Sequence, residues 1–84
     1  MSNKPDAEFI VPTLETGVYV HYKSPEMRYE VLGVGFDTET NEPMVIYKPL
    51  YESSVPLWVR PYEMFVSSVV VNGIEQPRFK KSDE

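Results

Sequence analysis

Two kinds of side chain alternate from residue 17 onward, in the run GVYVHYK. Val18 and Val20 occupy even positions, whereas Tyr19, His21 and Lys23 occupy odd ones. A period of two is typical of a β-strand whose two faces meet different surroundings. We therefore predict a first strand over 17–23, with Tyr19 and His21 on the same face.

Further runs rich in β-branched and aromatic residues follow, separated by polar or proline-containing segments. These runs, each predicted to be a strand, are 28–37, 44–48, 57–60, 66–71 and 74–79. Gly33 and Gly35 interrupt the run at 28–37, and glycine inside a strand usually marks a bulge or a sharp bend. The second strand is therefore expected to be long and strongly curved.

Two short segments predict turns of a different kind. Asn72-Gly73 separates the last two runs and readily takes the positive φ angles of a type I′ turn, which predicts a hairpin. Pro61 precedes residues 62–65 and suits the first position of a helix, which predicts one helical turn. No amphipathic stretch is long enough to predict a longer helix.

These elements together predict an all-β domain of five or six short strands with one short helical turn. A small SH3-like β-barrel is the preferred architecture, and a strongly curved antiparallel sheet is the alternative. The domain is expected to span 14–79. It would lie between a flexible N-terminal leader at 1–13 and a charged tail at 80–84.

Composition indicates the size of the domain, the cellular compartment in which it would act and the ligands it would not bind. Its 84 residues suffice for one domain with a thin core. The chain has no cysteine, so disulfides and thiolate zinc sites are excluded and a reducing compartment is favoured. No apolar run resembles a signal peptide or a membrane span, which predicts a cytoplasmic protein without a membrane partner. The net charge of −5 argues against binding to nucleic acid.

Aromatic side chains with polar tips are numerous for so small a domain. Six tyrosines and one tryptophan exceed what a thin core is expected to hold, so several should lie at the surface. Such rings line binding grooves and interface hot spots, although they can equally cover the ends of a barrel. We predict a non-enzymatic binding module for a protein segment or small ligand. Its groove would be formed by Tyr19, His21, Tyr47, Trp58 and Arg60. A structural homodimer that buries the spare rings is an alternative.

Arg60 has two interpretations. Its planar guanidinium fits the carboxylate or phosphate of a ligand, which it would hold through two parallel hydrogen bonds. It could equally form an ion pair with Glu30 or Glu63 and fix the helical turn. The ion pair is the preferred interpretation.

His21 is the only histidine of the chain. A small hydrolase that uses His21 with Glu30 or Glu63 as acid and base is therefore a further alternative. No cysteine nucleophile and no convincing serine motif accompany this histidine, so a hydrogen-bonded histidine within the sheet is favoured.

Metal and cofactor sites have weaker support. Asp37, Glu39 and Asn41 imitate the first three ligands of a calcium loop. The imitation fails at Glu42, where the loop needs glycine, and at Lys48, where it needs a bidentate glutamate. An acidic hairpin tip is the better interpretation, and we predict neither a metal ion nor a cofactor.

Several segments, taken together and in this order, are similar to the pattern of a known family. They are GVYVHYK at 17–23, YEVLGV at 29–34, LY at 50–51, LWVRP at 57–61, EMF at 63–65 and PRF at 77–79. The set resembles the bacterial domain-of-unknown-function 1653 family of small stand-alone proteins, over 14–79. The turn SPEM at 24–27 departs from the glycine-containing turn expected there. The resemblance implies a bacterial, intracellular, single-domain protein and brings no activity with it.

Overall fold

Residues 9–82, described by a computed structural model, form an all-β domain with one short helix. The elements are β1 (Gly17–His21), β2 (Arg28–Phe36), β3 (Pro43–Pro49), β4 (Trp58–Pro61), α1 (Tyr62–Phe65), β5 (Ser68–Val71), β6 (Ile74–Pro77) and β7 (Phe79–Lys81). The predictions of an all-β fold and of one helical turn are confirmed. Residues 1–8 of the predicted leader and 83–84 of the predicted tail lie outside the described residues.

The strands form two antiparallel sheets. The main sheet has five strands in the order β4-β3-β2-β1-β7, and β5 and β6 form a separate hairpin. Among the described residues the main sheet does not close into a barrel, because β4 and β7 remain its two edges. The strongly curved antiparallel sheet is therefore the prediction that fits, rather than the SH3-like barrel. Closure would need β4 to pair with β7, directly or through the β5–β6 hairpin, and none of the described pairings does this.

Leu32 is an extra residue in β2. The register of β2 against β3 shifts here, so that Val31 pairs with Tyr47 whereas Gly33 pairs with Ile46. A bulge of this kind bends the strand and increases its twist. The interruption that the glycines predicted in this strand is confirmed, and the extra residue lets Val34 pair with the buried Val45, as Val31 pairs with Tyr47.

The turn between β5 and β6 has the predicted geometry. Asn72 and Gly73 have φ angles of 53° and 77°, as a type I′ hairpin requires. β5 begins at Ser68, two residues later than predicted. The strand begins later because the backbone N–H groups of Val66 and Ser67 donate to carbonyl groups of the helix, at 3.0 and 3.2 Å, and so complete its last turn.

The strand predicted over 74–79 is wrong in one respect, because it is divided between the two sheets. β6 ends at Pro77, and the backbone of Arg78 leaves the hairpin. Its N–H donates to Ser67 O at 2.9 Å and its carbonyl accepts from Tyr22 N at 2.9 Å. Phe79 then pairs with His21 at the far edge of the main sheet. The new strand continues to Lys81, which the sequence analysis had assigned to the tail.

One face of the main sheet carries the core. Its buried apolar residues are Tyr19, Tyr29, Val31, Val45, Tyr47, Phe65 and Phe79. Strand alternation places the sheet members of this set on a single face, and α1 brings Phe65 over that face. The Phe65 and Phe79 rings stack with centroids 4.2 Å apart and planes inclined by 6°.

We predict that Phe65→Ala lowers the free energy of unfolding by about 3–5 kcal/mol, because Phe65 is only 1% exposed and its removal leaves a cavity between helix and sheet. Urea denaturation followed by circular dichroism measures the change. The matched control is Val66→Ala at the neighbouring exposed position, which should change stability by less than about 0.5 kcal/mol. Equal losses in the two variants would contradict this account of the core.

Candidate functional site

The core holds more of the tyrosines than the sequence analysis expected. Tyr19, Tyr29 and Tyr47 are all buried, because each hydroxyl reaches a partner at the rim of the core. The Tyr19 hydroxyl donates to the Glu15 carbonyl at 2.8 Å, and the Tyr19 ring meets Phe65 edge-on at 5.5 Å. Tyr19, one of the five predicted groove residues, therefore lies in the core beneath the helix.

Three of the predicted groove residues lie together on β3 and β4. Tyr47 and Trp58 are paired across the two strands, and Arg60 follows on the same face two residues further along β4. They line a cavity of about 210 Å³ between the sheet and the loop that follows β3. Its full lining consists of Met27, Tyr29, Tyr47, Tyr51, Trp58 and Arg60, and we call it the aromatic pocket.

Three further residues of the aromatic pocket, Met27, Tyr29 and Tyr51, were not predicted from the sequence. Tyr29 joins it because the rings of Tyr29 and Tyr47, on neighbouring strands, meet edge-on at 5.2 Å. Tyr51 joins it from the loop, where its ring meets the Tyr29 ring at 5.5 Å. The alternation of β2 carried a signal for Tyr29, whereas the loop conformation that places Tyr51 has no local signature in the sequence.

Arg60 is held in the pocket by contacts other than the expected ion pair. Its Nε donates to the Tyr47 hydroxyl at 3.1 Å, and its guanidinium lies 5.5 Å from the centroid of the Phe79 ring. Glu30 instead lies 3.6 Å from Lys48 Nζ on the opposite face of the sheet. Within residues 9–82 the terminal nitrogens of Arg60 make no hydrogen bond or ion pair with protein groups, and the pocket lining contains no carboxylate.

Two hydroxyl groups of the pocket lining form a hydrogen-bonded pair. The Tyr29 and Tyr51 hydroxyl oxygens are 3.1 Å apart and share a hydrogen bond. Burial, and next the hydrogen bond to Tyr51, raise the pKa of Tyr29 well above its usual value. Tyr29 therefore stays protonated at neutral pH and is available as a neutral hydrogen-bonding group.

His21 lies outside the aromatic pocket. It is buried on β1, where its ring meets Phe79 edge-on at 4.9 Å, and its Nδ1 accepts a hydrogen bond from Lys23 N at 3.2 Å. This acceptor role assigns the imidazole proton to Nε2. His21 instead contributes to a second cavity of about 290 Å³ that is also lined by Tyr22, Pro25 and Gln76.

The surroundings of His21 favour its neutral form. Burial lowers the pKa of His21 below its usual value, and the positive charges of Arg60, Lys23 and Arg78 act in the same direction. Glu30 cannot serve as its carboxylate partner in this fold, because alternation along β2 places it on the opposite face of the sheet. His21 and Glu30 are therefore not brought together as an acid and base pair.

The acidic segment after β2 is a closed hairpin tip. Asp37 Oδ1 accepts hydrogen bonds from the backbone N–H groups of Glu39 and Thr40 at 2.7 and 3.2 Å, and Asn41 takes a left-handed φ of 62°. These are the contacts of an Asx turn. Within residues 9–82 no three histidine or acidic side chains lie close enough together to hold a metal ion. The helix in that part of the chain has four residues, too few to cross a membrane.

The fold and the pocket define a small antiparallel β domain with an aromatic pocket on its covered face. The sequence profile of the protein family of unknown function DUF1653 matches residues 17–81. The crystal structure of a DUF1653 protein from Bordetella bronchiseptica is similar, with a TM-score of 0.74 and 33% sequence identity. This similarity covers 82% of this chain and 87% of that chain. No curated protein is significantly similar to the chain. The chain belongs to the DUF1653 family.

We predict that His21 titrates with a pKa below 6.5, because burial and three neighbouring cations disfavour its charged form. Proton NMR of the imidazole Hε1 measures this pKa directly, and the resonance is unambiguous because the chain has one histidine. The unfolded state then binds more protons than the folded state just below pH 6.5. The His21 contribution to stability is therefore complete above that pH and is lost as the pH falls through the folded pKa.

The matched variant for the pH dependence is His21→Phe, which keeps a ring at this position and removes the titrating group. Its free energy of unfolding should fall less steeply than that of the wild-type protein between pH 7 and pH 5. Identical slopes in the two proteins, or a folded pKa above 6.5, would contradict the assignment of His21 as a buried neutral imidazole.

Proposed function

We propose that this protein is a non-enzymatic binding module whose aromatic pocket holds a ring-bearing ligand with a carboxylate. The observation that carries the proposal is the Arg60 guanidinium. It sits in a pocket of aromatic rings, and its terminal N–H groups make no hydrogen bond or ion pair with the described residues. A planar guanidinium held in this way is suited to a carboxylate, which it binds through two parallel hydrogen bonds.

The size of the pocket sets the size of the group it accepts. Its volume of about 210 Å³ is below the usual range for sites that enclose a whole drug-sized ligand. It is better suited to one side chain or one small ring. Trp58 is 41% exposed, so its ring offers a surface on which such a group would stack.

Arg60 is fixed before a ligand arrives. The hydrogen bond to Tyr47 and the contact with the Phe79 ring hold two sides of its guanidinium, so little conformational entropy remains to be lost on binding. The pocket contains cationic and hydroxyl groups but no nucleophile paired with a base. These groups support recognition of a ligand rather than a reaction on it.

We also propose a bacterial cytoplasm as the place of action. The absence of cysteine fits a reducing compartment, and the similar protein of known structure comes from Bordetella bronchiseptica. The overall charge of −5 supports a protein or metabolite ligand over nucleic acid, because the phosphate backbone would be repelled at long range.

We predict that N-acetyl-phenylalanine binds the aromatic pocket, and that N-acetyl-phenylalaninamide binds about tenfold more weakly because it lacks the carboxylate that Arg60 would hold. Titration of the ¹⁵N-labelled protein to about 10 mM ligand, followed through the Trp58 indole N–H, measures both affinities. Arg60→Gln should remove the preference for the acid. The control Lys48→Gln removes a positive charge on the opposite face and should keep the preference. No shift at the Trp58 indole with either compound would contradict the proposed function.

A structural homodimer is the second candidate, and the β5–β6 hairpin favours it. Val70 and Ile74, near the hairpin tip, are 70% and 66% exposed, which is unusual for aliphatic side chains in strands. If these residues meet a second copy, sedimentation velocity should show a mass that rises with protein concentration. Val70→Ser with Ile74→Ser should return it to that of a monomer. A concentration-independent monomer mass in the wild-type protein would exclude this candidate.

A further inference from the structure

β4 is an open edge of the main sheet directly beside the aromatic pocket. It pairs with β3 on one side, and within residues 9–82 nothing pairs with its other side. Outside the β3–β4 pairing, the backbone groups of 58–60 make no hydrogen bonds with other described backbone groups. Half of the backbone N–H and C=O groups of an edge strand point away from the sheet, so β4 presents groups that another extended chain can pair with.

The two edges of the main sheet differ in their protection. β7 carries Lys80 and Lys81, and charged residues of this kind keep a sheet edge from pairing with other chains. β4 instead carries Trp58 and Val59, which are 41% and 55% exposed, and its charged residue and its proline, Arg60 and Pro61, lie at its C-terminal end. β4 is thus the edge that combines free backbone groups with exposed apolar side chains and the pocket.

We propose that the ligand of the aromatic pocket is an extended peptide segment that adds to β4 as a sixth, antiparallel strand. The inference rests on the proposed function, and it names the ligand class for the same pocket. An antiparallel direction agrees with every pairing in the sheet and is the more stable arrangement for each residue pair. Peptide addition to a sheet edge obtains affinity from main-chain hydrogen bonds and specificity from pockets for alternate side chains.

The register of β4 sets the side-chain pattern of this peptide. Trp58 and Arg60 share the pocket face, whereas Val59 between them lies on the opposite face. Residues directly opposite one another in paired strands have Cβ atoms about 5 Å apart. An antiparallel peptide therefore places an acidic residue opposite Arg60, an apolar residue opposite Val59 and a ring-bearing residue opposite Trp58, in this order from its N-terminus.

Charge complementarity indicates that the peptide residue opposite Arg60 is acidic. The pocket lining has one cation and no anion, so a carboxylate that enters it meets no repelling group. A lysine or arginine at the same peptide position would be repelled by Arg60.

The probe for this inference is the blocked peptide Ac-Ser-Glu-Val-Phe-Ser-NH₂, titrated into the ¹⁵N-labelled full chain. It should bind at least tenfold more tightly than N-acetyl-phenylalanine, because it adds main-chain hydrogen bonds to the pocket contacts. The reversed peptide Ac-Ser-Phe-Val-Glu-Ser-NH₂ has the same composition and should bind at least fivefold more weakly. Equal binding of the two peptides would overturn the antiparallel pairing.

Backbone pairing is tested by N-methylation of the peptide at the valine in one version and at the phenylalanine in another. Alternate residues of an added strand face β4, so one of these methyl groups should abolish binding whereas the other should be tolerated. The Arg60→Gln variant should bind the glutamate peptide and its glutamine version equally, because the variant has no guanidinium to pair with the glutamate carboxylate. Lys48→Gln, the control on the opposite face, should still distinguish them.

The outcomes separate this inference from the proposed function. If N-acetyl-phenylalanine binds but neither peptide order nor N-methylation changes the affinity, the pocket binds a small ligand and strand addition is wrong. If neither N-acetyl-phenylalanine nor any peptide shifts the Trp58 indole, both proposals are wrong. Strand addition is supported when one N-methyl peptide fails, the other binds and the reversed peptide is weaker.

Discussion

The rest of the domain depends on the packing of the Phe79 ring against its aromatic neighbours. It stacks on Phe65 of the helix and meets the rings of His21, Tyr29 and Tyr47 edge-on, at centroid distances of 4.9, 5.8 and 5.7 Å. One side chain from the last described strand thus joins the helix to rings on three other strands. A domain this small has few other side chains with which to fill the space between sheet and helix.

The same ring explains how the aromatic pocket keeps its shape. Arg60 lies over Phe79 and donates to Tyr47, so the cation rests on two side chains that belong to the core. The pocket therefore has a rigid floor formed by the sheet and a wall formed by Tyr51 in a loop. Binding residues on a rigid support with one adjustable loop are a common arrangement in small recognition domains.

Local features of the fold were predictable from the sequence, because their causes are local. The turn at Asn72 and Gly73 and the helical turn after Pro61 each depend on the backbone preferences of one or two residues. The division of the last predicted strand was not predictable in this way. Phe79 leaves the hairpin because pairing with β1 gives it a buried position. The residues next to Phe79 in the sequence carry no signal of that contact.

The candidate site shows the same limit. The sequence led to Tyr47, Trp58 and Arg60, which line one pocket, but also to Tyr19 and His21, which lie elsewhere. Which tyrosines are buried depends on partners for their hydroxyl groups, such as the carbonyl of Glu15. Strand alternation placed Tyr19 and His21 on one face, yet whether that face was covered depended on α1 and Phe79.

The pairing of β1 with β7 also bears on the order of events during protein synthesis. Tyr19 pairs with Lys81, so β1 can pair with β7 only after almost the whole described chain has been made. A nascent chain that has not yet exposed Phe79 can form the β2–β3 hairpin, but its helix has no ring to stack on. Contacts between residues so far apart in the chain slow folding, because a long loop must close before they form. The core is therefore completed only after the chain has been made as far as Phe79.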